Sequence, residues 1–70
     1  MANVHVGDCI ILTTPGGRCA VFTVAASGEH IKYRENIASL HQAWEIARGS
    51  LTSRQIWIGD EATPDELTSY

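Results

Sequence analysis

Residues 9–24 read CIILTTPGGRCAVFTV, two long apolar runs on either side of a turn signal. A strand with one wet face alternates apolar and polar residues, and these two runs barely do. Strands that are apolar almost throughout are usually buried on both sides. What the chain can fold into is therefore constrained first by the need to cover two faces of a sheet.

The linking TPGG fits a type II turn, with Pro15 supplying a φ of about −65° and Gly16 the positive φ. A turn centred on Pro15-Gly16 sets Leu12 opposite Cys19 and Cys9 opposite Phe22. On that register Ile10, Leu12, Cys19, Val21 and Thr23 share one face, and Cys9, Ile11, Ala20, Phe22 and Val24 share the other. Both sets are apolar. The register also sets Cys9 and Cys19 on opposite faces, too poorly placed for a disulfide, which needs Cα atoms within about 7 Å. A three-residue loop would bring the cysteines to one face, still not opposite each other. Two free, buried thiols are expected, as suits a reducing compartment.

The strands around this hairpin are expected over Val4–Thr13 and Arg18–Ala25, with a further turn at 26–29. A third strand, HIKYR at 30–34, alternates cleanly: Ile31 and Tyr33 point one way, His30, Lys32 and Arg34 the other. Its charged side suits an edge. Ser39 then fits a helix N-cap, with Gln42 completing a capping box. Leu40, Ala43, Trp44 and Ala47 form one apolar stripe, Arg48 suits the last turn, and Gly49 is placed as the C′ residue. About ten residues of helix are marginal alone, so packing must hold it, with Trp44 as the expected anchor. A fourth strand follows at 54–59, RQIWIG, with Ile56 and Ile58 on one face and Trp57 on the other. Thr63 and Pro64 resemble the cap and first residue of a short C-terminal helical turn, with Leu67 and Tyr70 as its apolar contacts.

The expected fold is a small α+β domain over residues 1–59, an antiparallel sheet of β-β-β-α-β order with one helix on one face. An acidic tail spans 60–70. The expected core joins Leu40, Ala43, Trp44 and Ala47 to Ile31, Tyr33, Ile56 and Ile58. The partner of the fourth strand is left open by the pattern.

Seventy residues with 44% hydrophobic and 19% charged content fit one folded domain, not a disordered chain. Residues 1–59 are nearly neutral, and the net charge of −3 comes from Asp60, Glu61, Asp65 and Glu66 in the tail. That balance argues against a dedicated nucleic-acid binder. The start MANVHVGD lacks a basic, then apolar, leader pattern, and the longest strictly apolar run, Cys9–Leu12, is far below the roughly 20 residues that span a bilayer. A soluble, cytoplasmic protein is expected.

His5, His30 and His41 show no ligand spacing of a metal site, and no cofactor motif is present. Cys9 lies in an apolar run, where burial keeps a thiol protonated, and no carboxylate pair or nucleophile–base set marks an enzyme. The remaining reading follows from counting faces. One short helix covers one side of the sheet, which leaves Phe22, Val24 and Trp57 as an interaction surface. The tail, a second copy of the chain or another protein are its possible covers, and a homodimer is favoured. The alternative is a nucleic-acid module that uses the basic row His30, Lys32 and Arg34.

Overall fold

Strand β1 (Cys9–Thr13) and strand β2 (Cys19–Val24) form the expected hairpin, but around a longer loop. In this computed structural model, which describes residues 4–69 (the backbone alone for Pro64 and Asp65), Gly17 and not Gly16 takes the positive φ, at 80°. The Gly17 N–H donates to the Thr14 carbonyl at 3.0 Å, and the Thr14 N–H donates to Arg18 at 2.7 Å. Gly28, with φ 88°, repeats the device after β2. A turn that ends in a left-handed glycine matches the twist of the paired strands. The extra loop residue slips the register by one, so Ile10 faces Phe22, Leu12 faces Ala20, and Thr13 faces Cys19. A one-residue slip turns every β2 side chain to the other face relative to β1, which overturns the face sets read from TPGG. Phe22 now sits beside Ile10, while Cys9, Ile11, Cys19 and Val21 share the opposite side. Both thiols are free and buried, on one face but at opposite ends of the hairpin.

Strand β3 (His30–Ile37) pairs antiparallel with β2 and forms one edge, completing a three-strand meander. Helix α1 (Leu40–Glu45) follows, and the Ser39 hydroxyl accepts the Gln42 N–H at 3.2 Å, as the cap pattern implies. The helix then widens into a π turn over Ile46–Ser50. Gly49 is therefore inside the helical run and not its C′ residue. The run is closed by Ser53, whose N–H and hydroxyl both donate to the Ala47 carbonyl, and the left-handed backbone falls on Thr52 at φ 46°.

Strand β4 (Ile56–Asp60) lies parallel to β1, with Cys9 opposite Ile56 and Ile10 opposite Trp57. The sheet is thus mixed, not purely antiparallel. A helix returning from the end of β3 across the sheet delivers the chain in the direction that a parallel strand needs. The tail adds strand β5 (Thr63–Ser69), antiparallel to β4, in the order β3-β2-β1-β4-β5. This corrects the short helix expected from Pro64. So few residues cannot hold a helix by themselves, whereas an edge strand gains ladder bonds and tolerates proline. Tyr70 lies outside the described residues.

The main core fills the space between α1 and one sheet face: Cys9, Ile11, Cys19, Val21, Ile37, Ala43, Ala47 and Ile56. Ala43 and Ala47 touch the sheet, and their small side chains let the helix sit close over β1 and β2. Trp44 and Ile58 pack at the margin of this core. Ile31, Tyr33 and Leu40, expected inside, are 49%, 45% and 42% exposed. The helix lies over the central strands, so the outer row of an edge strand falls outside its shadow. Ile37 takes the inward place, because two register shifts in the β2–β3 pairing break the strict alternation of β3.

Candidate interaction surface

On the sheet face away from the helix, hydrogen-bonded register builds two rows. Phe22, Ile10 and Trp57 lie side by side across β2, β1 and β4, and Ala20, Leu12 and Gly59 lie side by side in the next row. A Cβ on Gly59 would come within 2.6 Å of Leu67 Cδ2 and 3.5 Å of Leu12 Cδ2, so the missing side chain is what lets Leu67 reach across from β5. No helix or second strand layer lies over these rows among the described residues. Ile10, between Phe22 and Trp57 in its row, is nevertheless fully buried in the single chain, while Leu12, Phe22, Trp57 and Leu67 are half-buried. Val24 shares the face but is only 8% exposed, so it offers a partner little.

Beside Phe22 the surface dips into a groove of about 600 Å³, floored by Leu12, Ala20 and Phe22. Its rim carries Arg18 and Lys32 against Glu35 and Glu61. Lys32 Nζ lies 5.9 Å from the centre of the Phe22 ring and 3.1 Å from Glu35 Oε2. Arg18 and Glu61 make no ion pair among the described residues. The rim therefore holds two charges of each sign.

The other end of the face is anchored by a buried carboxylate. Asp8, 3% exposed, accepts the His5 backbone N–H at 2.9 Å and the Trp57 indole N–H at 3.0 Å on Oδ2. Its Oδ1 stands 3.0 Å from Arg54 Nη2, close enough for charge pairing though without hydrogen-bond alignment. Burial pushes this carboxyl upward, but the His5 N–H, the Trp57 indole and the Arg54 guanidinium together outweigh it and hold the group below the usual carboxylate range. Burial raises both thiols, Cys9 partly offset by a hydrogen bond with Ser53.

The basic row expected on β3 is split. Lys32 faces Phe22 and His30 faces Val24, on the open side, whereas Arg34 faces Val21 on the helix side, beyond a register shift. Arg34 lines a separate shallow depression with Gln42, Glu45 and Ile46. His5 sits in the N-terminal turn, His30 at the start of β3, and His41 3.9 Å from Glu45 on the helix. No group of three or more His, Cys, Asp or Glu side chains gathers in a metal-binding arrangement among the described residues. No helix among them is long and apolar enough to cross a membrane.

Of the expected surface, the fold brings Phe22 and Trp57 into one row, joined by Ile10. Sequence reasoning set Ala20 on the face of Phe22 but missed Leu12 and Leu67, because their membership depends on the loop length and on β5 being a strand. Asp8 gave no signal, because the first strand was expected over Val4–Thr13 and so to contain it, whereas β1 starts at Cys9 and Asp8 follows a turn. No family model matches the chain, and no curated protein or solved structure resembles it significantly.

Proposed function

We propose that the protein is a non-catalytic interaction module that associates with a second copy of itself through the open sheet face. The observation that carries this reading is the set of half-buried apolar side chains Phe22, Trp57, Leu12 and Leu67, gathered around the sealed Ile10 and Ala20 on a face over which the described residues lay no helix or second strand layer. Contiguous apolar area of this kind on a small domain marks a contact surface.

The rim supports a second copy over other occupants. In a twofold contact each patch meets itself, so it must be self-complementary. Arg18 and Glu61, one charge of each sign on the rim and neither in an ion pair among the described residues, are charges that a rotated copy can pair sign for sign. Nucleic acid is served less well. Lys32 is neutralised by Glu35, Arg34 is on the other side, and the chain carries −3 overall. Two buried thiols with no disulfide favour a reducing compartment such as the cytoplasm.

Sedimentation equilibrium over a micromolar-to-millimolar series tests the reading. The wild type should approach twice the monomer mass, and Phe22→Ser should stay monomeric with unchanged far-UV circular dichroism. A monomer throughout, or a retardation of random oligonucleotides that fades steeply with salt, would replace this reading with another.

A further inference from the structure

We propose that Asp8 is an acid-sensitive latch on this surface: ionised, it pins Trp57 into the row beside Ile10, and protonated, it frees the indole and weakens association. The inference rests on the self-association reading for its second half only. Its first half stands on geometry within one chain.

Asp8 is the one buried charged side chain among the described residues. Its carboxylate ties together three separate stretches: the N-terminal turn through the His5 N–H, the segment before β4 through Arg54, and β4 itself through the Trp57 indole. The titratable and charged groups that face it are His5 from the turn, Arg54 from the approach to β4, and the neighbouring Cys9 thiol on β1. Both His5 and Arg54 favour the anion, and Cys9 stays neutral because burial raises its thiol. Oδ1 has no hydrogen-bond partner, so the hold on Arg54 is purely one of charge. Adding a proton to the unpartnered Oδ1 removes that charge and leaves Oδ2 to serve its two N–H donors as a neutral, weaker acceptor. A buried neutral acid beside a guanidinium with no partner is a poor clamp, and the indole N–H can then turn to water.

The folded carboxyl lies below its unfolded value, so the hold is complete above about pH 4, the unfolded Asp value, and is lost as pH falls through the lower folded value. Arg54 is well exposed, so the pairing is open to salt while the carboxylate end is not.

The test follows the Trp57 indole N–H signal by nitrogen-15 NMR on dilute wild-type protein, assigned with Trp57→Phe, beside Asp8→Asn and Arg54→Gln. The expected wild-type result is a titration of that signal below the ordinary carboxylate range while the backbone spectrum stays folded. Arg54→Gln, altered at an exposed side chain, should move the midpoint upward. Asp8→Asn at pH 7 should show the released indole, with association at least tenfold weaker by sedimentation. An indole signal indifferent to pH and to Arg54→Gln, or one that moves only with global unfolding, overturns the latch. A titrating indole with undiminished association in Asp8→Asn overturns its control of the surface. A wild type monomeric at every concentration overturns the self-association reading, while the indole titration still decides the latch alone.

Discussion

Ile10 and Ile11 are adjacent, identical in chemistry and equally buried, yet they belong to different faces, so truncating each in turn separates the two layers. Either change to alanine removes three carbons, about 2.4 kcal/mol of transfer free energy at ~0.8 kcal/mol per group. A cavity cost is added where the surroundings cannot close in, giving an overall range of about 2–5 kcal/mol. Ile11 lies in the cluster closed by Ala43, Ala47 and Ile56. Helix and sheet backbones both bound that space, so Ile11→Ala should cost the upper part, about 3–5 kcal/mol. No helix or second strand layer lies over Ile10 among the described residues, and the flanking Phe22 and Trp57 side chains can lean inward. Ile10→Ala should therefore cost about 2–3 kcal/mol of single-chain stability. Against the roughly 4–10 kcal/mol available to a chain of this size, both losses are readily measured. Urea unfolding followed by circular dichroism at two protein concentrations is the assay. The wild type and Ile11→Ala should both gain stability with concentration, because binding a partner favours the folded state. Ile10→Ala should lose that dependence. Equal costs with equal concentration dependence would refute the division into one sealed and one open face.

Thr52 holds a left-handed backbone at φ 46°, a conformation that costs a β-branched residue roughly 1–2 kcal/mol, so Thr52→Gly should raise stability by about 1 kcal/mol in the same unfolding assay. Gly59→Ala should destabilise by about 1–3 kcal/mol, since its Cβ would meet Leu67 at 2.6 Å, and Leu67→Ala should relieve much of that loss in the double variant. Because the folded Asp8 carboxyl is held low, wild-type stability should fall as pH drops below about 4. Asp8→Asn should start less stable and show a shallower acid loss; equal acid slopes would remove Asp8 as a contributor.

What could be read from the sequence was local. The Ser39 cap is set by residues that touch each other within one turn, and the β1–β2–β3 meander by short loops rich in glycine. The two thiols were read as unpaired on two grounds, of which the opposite faces fell with the register and the offset along the strands survived it. Register itself was not legible, because TPGG accommodates a two- or three-residue loop and the difference of one residue moves Phe22 from the side of Cys9 to that of Ile10. The parallel seat of β4 depends on a helix crossing the sheet, a long-range event with no local mark. Strand β5 was missed because Thr63 and Pro64 carry a helix-start signature that a neighbouring strand edge outweighs. The β3 irregularities hid likewise: alternation in HIKYR is perfect on paper, and pairing with β2 breaks it before Arg34. The surface residues followed these outcomes, so Phe22 and Trp57 were found while Leu12 and Leu67 were not.

The most direct measurement is an isotope-filtered NOE spectrum on a one-to-one mixture of labelled and unlabelled protein at millimolar concentration. Contacts between chains from the methyls of Leu12 and Leu67 to the rings of Phe22 and Trp57 are expected. Cross-chain contacts confined to Ile31, Tyr33 and Leu40, or none at all, would contradict association through the open face.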